Sequence, residues 1–100
     1  MISPFLSWGE NTTLYLVKSA ENSRYIKGSR PEIAAKRFLN YLRRYKKERP
    51  QKLEIQWTYN QRQITADATV EWYTGKLKTS NVEGPEGEWW DLKSVVIRNE

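Results

Sequence analysis

The sequence predicts an α+β domain, a strongly bent antiparallel sheet or partly open barrel in the order β-β-α-β-β-β, with one amphipathic helix packed against it. Three observations carry this. Only one segment, residues 30–49, repeats its apolar residues with helical period and has start and stop signals. The segments around it alternate with period two or are rich in β-branched and aromatic residues. The length, 100 residues, suits one small domain over 1–100, and the five Trp and six Tyr must fill much of its core.

Residues 1–11 read as a lead-in, with Phe5, Leu6 and Trp8 available to cover one end of the core. Thr12 to Lys18 reads as a strand, and its run Leu14-Tyr15-Leu16-Val17, apolar on both faces, suits a central position. The polar turn Ser19 to Ser23 joins it to a returning strand, Arg24 to Lys27, which Gly28 ends. The helix follows. Ser29 and Glu32 have the spacing of a capping box, Pro31 suits the first turn, and Pro50 stops the helix by restricting the residue before it. Ala34, Ala35, Phe38, Leu39, Tyr41, Leu42 and Tyr45 fall on one arc, with Lys36, Arg37, Arg43, Arg44 and Lys47 opposite. Ile33 lies off the apolar arc and has no evident role at this level.

After Pro50 the period changes to two. Leu53, Ile55, Trp57 and Tyr59 share one face of a strand, a turn falls at Asn60-Gln61-Arg62, and Ile64, Ala66, Ala68, Val70 and Trp72 share one face of the next strand. The two form an antiparallel hairpin, and Trp57, Tyr59 and Trp72 are expected in the core. Thr74-Gly75-Lys76 reads as a turn, Leu77 to Val82 as a short strand, and residues 83–88 as an acidic loop held open by Gly84, Pro85 and Gly87. Trp89 and Trp90 open a last strand, where neighbours point to opposite faces, so one of the two is expected to be exposed.

Composition narrows the functional classes. The chain has no Cys and no His, which removes disulfides, thiolate chemistry, the commonest general base and the commonest metal ligand. The cluster Glu83, Glu86, Glu88 and Asp91 matches no calcium-loop spacing. No enzyme activity, cofactor or metal site is expected. No apolar run reaches the length of a membrane span, and the expectation is a soluble intracellular protein without a membrane partner. The net charge of +5 is unevenly placed: residues 30–52 hold nine cations against two carboxylates, whereas residues 80–100 are net acidic. A concentrated basic field of this kind selects polyanions.

Tyr25 to Leu39, YIKGSRPEIAAKRFL, resembles the MC1-type non-histone chromosomal proteins of archaea and their virus-encoded relatives. The resemblance lies in Gly28, Pro31, Ala34, Ala35, Lys36 and Arg37, in the preceding hairpin, and in a later strand bearing Trp72, and it covers about residues 12–78. It implies a small monomer that binds duplex DNA with little sequence preference, bends it, and uses basic and aromatic side chains of its later strands and the loop joining them. Those later strands depart from the pattern. Arg62, Lys76 and Lys78 are offset by Glu54, Asp67 and Glu71, which moves the expected DNA surface toward the helix.

The first expectation is therefore a double-stranded DNA-binding, architectural protein, a monomer or weak dimer associated with a nucleoid or chromatin. Lys36, Arg37, Arg43, Arg44 and Lys47 contact phosphates, Arg62, Lys76 and Lys78 contribute at strand ends, and Trp72 or Trp89 packs on a sugar or base step. The alternative is a small protein-binding inhibitor or adaptor that uses Trp89, Trp90, Glu86 and Glu88.

Overall fold

Among the described residues, five strands pair in one antiparallel sheet of spatial order β2-β1-β3-β4-β5, which curls into a half-barrel around one helix. The computed structural model describes residues 12–79 and 82–98, with the backbone alone at 77–79 and 82–86. The lead-in at 1–11 lies outside the described residues. The strands are β1 (Thr13–Lys18), β2 (Ser23–Gly28), β3 (Lys52–Tyr59), β4 (Arg62–Thr79) and β5 (Val82–Ile97); the helix, α1, is Pro31–Tyr45. The fold class is α+β.

Alternation sets the concave face. Tyr15 and Val17 of β1, Leu53 and Ile55 of β3, and Ala66, Ala68 and Val70 of β4 are buried there against Ala34, Ala35, Phe38, Leu39 and Leu42 of α1. The two small alanines of β4 lie in register with Leu53 and Ile55. Each large apolar side chain fully removed from water contributes about 1.5–3 kcal/mol, so this face is what holds α1 to the sheet. β1 is interior to the sheet, between β2 and β3. Trp57 is half-buried with its ring 5.2 Å from that of Tyr15, in an edge-on arrangement. Tyr59, expected in the core, is exposed because it occupies the last rung before the turn. That turn holds Asn60 and Gln61 at φ 50° and 63°, the left-handed pair that a two-residue hairpin turn requires.

The helix differs from expectation at both ends. Arg30, not Ser29, is the residue before the first turn, and no side chain caps it; its carbonyl accepts from the N–H groups of Ile33 and Ala34. Ile33 packs beside Gly28, where a Cβ on the glycine would lie 3.4 Å from an Ile33 methyl. That is ordinary contact, so space alone does not demand glycine there. At the other end α1 stops at Tyr45, four residues short of Arg49. Lys46 turns to an extended backbone, φ −129° and ψ 166°, after donating its N–H to the Leu42 carbonyl.

The largest difference lies after Trp72. Neither the turn at Thr74-Gly75-Lys76 nor the acidic loop at 83–88 exists; both belong to a long ribbon of β4 and β5. β3 pairs with β4 only as far as Thr69, so from Val70 onward the ribbon is two-stranded and about 30 Å long. The residues read as breakers are accommodated by register. Gly75 faces Gly87, and the register slips between Lys76 and Lys78, next to Pro85, where a residue unable to donate to the ladder is tolerated. A second slip, between Thr69 and Val70, makes Lys93 the extra residue of a bulge.

Candidate nucleic-acid interface

The residues after α1 form a strap, 46–51, fastened to both ends of the structure around it. Glu48 grips the β1–β2 turn: its carboxylate accepts from the Ser19 hydroxyl, from Asn22 Nδ2 at 2.7 Å and from the Glu21 backbone N–H at 3.1 Å. Partial burial pushes its carboxyl upward, but the hydrogen bonds from Ser19, Asn22 and the backbone outweigh this and hold it below the usual carboxylate range. Arg49 and Pro50 grip the root of the ribbon. Trp72 Nε1 donates to the Pro50 carbonyl at 2.7 Å, Arg49 Nε donates to Glu88 Oε1 at 2.7 Å, and the Arg49 guanidinium lies 5.2 Å from the Trp72 ring centre. Glu88 is held below the usual carboxylate range by that Arg49 hydrogen bond. The Gln51 carbonyl then accepts the Val70 N–H and starts the β3–β4 pairing.

The strap decides which charges are left over. Glu48 and Arg49 are engaged, and Arg37 Nη1 donates to the Lys27 carbonyl at 2.6 Å. Lys36, Arg43, Arg44, Lys46 and Lys47 are exposed, and among the described residues no carboxylate lies within ion-pair distance of them. Lys36, Arg43 and Arg44 share one arc of α1, and Lys46 and Lys47 continue it onto the strap. The cationic surface therefore runs along the helix to the root of the ribbon.

The other predicted contacts are placed elsewhere. Arg62 lies at the β3–β4 turn, at the end of the sheet where α1 begins, away from Arg43 and Arg44. Trp72 is half-buried and its indole N–H is bonded within the strap, so its place is structural. Lys76 is exposed on the ribbon; the register sets it opposite Glu86 and sets Lys78 opposite Glu83, which makes the ribbon locally neutral in charge. The side chains of Lys78 and Glu86 fall outside the described residues. Trp90 sits opposite Trp72 and packs against the core, while Trp89 is 39% exposed on the other face, stacked on Tyr73 at 5.9 Å.

Two residues beside the cationic arc escaped sequence reasoning. Tyr45, expected on the apolar arc, is 67% exposed, because the chain leaves the helix at the next residue. Arg24 lies across Val17 on the helix-facing side of β2, with its guanidinium 4.3 Å from the ring centre of Tyr41. No sequence signal identifies either: a helix-end tyrosine and an edge-strand arginine are ordinary residues until the sheet brings them together.

With this geometry in hand, comparison with protein-family models, curated proteins and solved structures gives no match.

Proposed function

We propose that the protein binds double-stranded DNA with little sequence preference, as an architectural protein, through the phosphates. Lys36, Arg43, Arg44, Lys46 and Lys47 make the contacts, with the ribbon projecting from the same end of the molecule. The observation that carries this reading is that these five cations form no ion pair with a carboxylate among the described residues; Arg43 acts on Glu88 only from beyond ion-pair distance, and that carboxylate is bonded to Arg49. A surface helix kept only for solubility is normally laced with both signs of charge, whereas here the carboxylates around the arc are engaged elsewhere: Glu48 is bonded to the β1–β2 turn, Glu88 to Arg49, and Glu32 pairs with Arg30. Five such groups release condensed counterions on binding, so affinity falls steeply with salt. The resemblance to MC1-type chromosomal proteins points the same way. Arg62, Lys76 and Trp72 have no part in this interface.

Fluorescence anisotropy of a labelled random duplex, titrated at several salt concentrations, tests the reading. The double variant Arg43→Glu, Arg44→Glu is expected to weaken binding by about tenfold or more and to make the dependence of log K on log salt shallower by about two. Unchanged affinity overturns the helix-face interface.

A second reading, a small inhibitor or adaptor that docks a protein, draws on one observation, the exposed Trp89 stacked on Tyr73. Tryptophan in such a position is a common interaction anchor. A pull-down from nuclease-treated extract that recovers no protein counts against it.

A further inference from the structure

The cationic arc is bordered on its β2 side by a graded row of aromatic rings. Phe38 is fully buried, Tyr41 is half-buried with its ring 6.2 Å from Phe38, and Tyr45 is 67% exposed with its ring 5.7 Å from Tyr41. The row leads from the core to solvent, so Tyr45 is braced by the ring behind it and is not a free side chain on a frayed end. Arg24 covers Tyr41. Nothing among the described residues covers the outer side of Tyr45, and Arg44 and Lys46 adjoin it in the chain. No described carboxylate pairs with Arg24, Arg44 or Lys46.

A braced, open aromatic ring beside unpaired cations satisfies the two requirements of a single-stranded nucleic-acid site: a surface on which a base stacks, and positive charge along the backbone. Duplex DNA uses the charge but not the ring, because its bases present their faces to each other. A purely structural tyrosine would bury its ring, and a purely solvating residue would not hold its ring against that of Tyr41, here tilted by 47°. We propose that Tyr45 is a stacking platform for an unpaired base, and that the helix face takes single-stranded nucleic acid as well as duplex. Arg24 and Arg44 hold the phosphates on either side of the stacked nucleotide. The proposal rests on the phosphate-binding reading of the helix face and adds a ligand class to it.

Binding of a labelled oligothymidine and of a labelled duplex of random sequence, each measured for the wild type, Tyr45→Leu and Tyr45→Phe, tests it. The ring is mostly exposed, so neither substitution disturbs the core. Tyr45→Leu is expected to weaken oligothymidine binding about tenfold and duplex binding less than twofold, with Tyr45→Phe close to wild type on both. Equal losses on the two probes, or no loss on oligothymidine, overturn the stacking site. Wild-type binding to duplex but not to oligothymidine also overturns it while leaving the phosphate reading intact. Binding to neither probe at low salt overturns both.

Discussion

The outer surface of α1 and the outer surface of the sheet are both charged, yet they handle charge in opposite ways. On the sheet, Arg98 Nη2 lies 2.6 Å from Asp67 and 3.2 Å from Glu54, and Lys93 Nζ lies 3.1 Å from Asp91 and 3.5 Å from Glu71. Each of these cations is flanked by two carboxylates. Asp67 is correspondingly held below the usual carboxylate range by its Arg98 hydrogen bond, and Lys93 and Arg98 are held above theirs by their carboxylate partners. On the helix and strap, Lys36, Arg43, Arg44, Lys46 and Lys47 form no such ion pair among the described residues; Arg43 acts on Glu88 only from beyond that distance. The net charge of +5 is therefore not a diffuse property of the chain. Around Lys93 and Arg98 the sheet balances charge at short range, whereas the helix and strap cations stand without such ion pairs.

The sharpest way to break this contrast is to remove two cations from each surface and compare. Lys93→Ala with Arg98→Ala is expected to change duplex affinity less than twofold, because those charges are already compensated at short range and screened beyond about 10 Å. Arg43→Ala with Arg44→Ala is expected to weaken it about tenfold, in the same anisotropy titration. Similar losses from both pairs would mean that affinity follows total charge, and the distinction between the surfaces would disappear.

Glu48 sharpens the contrast from the other side, because it is the carboxylate that the helix surface lacks. Its folded-state carboxyl is held below its usual value, with the hydrogen bonds of Ser19, Asn22 and the backbone outweighing burial. The stabilisation is thus complete above the ordinary carboxyl range, about 4.3 for Glu, and is lost as pH falls through the lower folded value. Glu48→Gln is expected to cost about 1 kcal/mol at neutral pH, allowing for solvent screening of a partly exposed group. The difference from wild type should shrink toward zero on acidification, read from urea midpoints at pH values above and below that range. A constant difference would show that the carboxylate charge is not what fastens the strap.

What could be read from the sequence divides along the same physical line. The buried face of α1 was legible because Ala34, Ala35, Phe38, Leu39 and Leu42 recur at helical spacing, and burial follows directly from that period. The alternation of β3 and β4 was legible for the same reason. The end of α1 was not. Pro50 marks where a helix must stop, but Glu48 bonds to residues 26 to 29 positions earlier, and that distant contact draws the chain out of the helix at Lys46. The ribbon was hidden likewise: Gly75, Pro85 and Gly87 are breakers in isolation and become harmless only once the register places glycine across from glycine and proline at a slip. Of the interface, the residue types were legible and the pairing was not. Arg49 and Arg43 are equivalent in composition, yet Arg49 hydrogen-bonds Glu88 while Arg43 acts on it only from farther away.

The smallest expected effect isolates local backbone chemistry from both surfaces. Gln61 stands at φ 63° in the two-residue turn between β3 and β4, where an L side chain is disfavoured and glycine is not. The side chain is exposed, and Tyr59 and Arg62 pair across the turn whichever residue stands at 61. Gln61→Gly relieves the positive-φ cost while adding chain entropy to the unfolded state, so the net gain is expected to be about 0.5 kcal/mol, measured by urea denaturation. Since the turn lies at the end of the sheet away from Arg43 and Arg44, duplex affinity should not move. A change in affinity with this variant would mean that the β3–β4 turn, and with it Arg62, belongs to the interface after all.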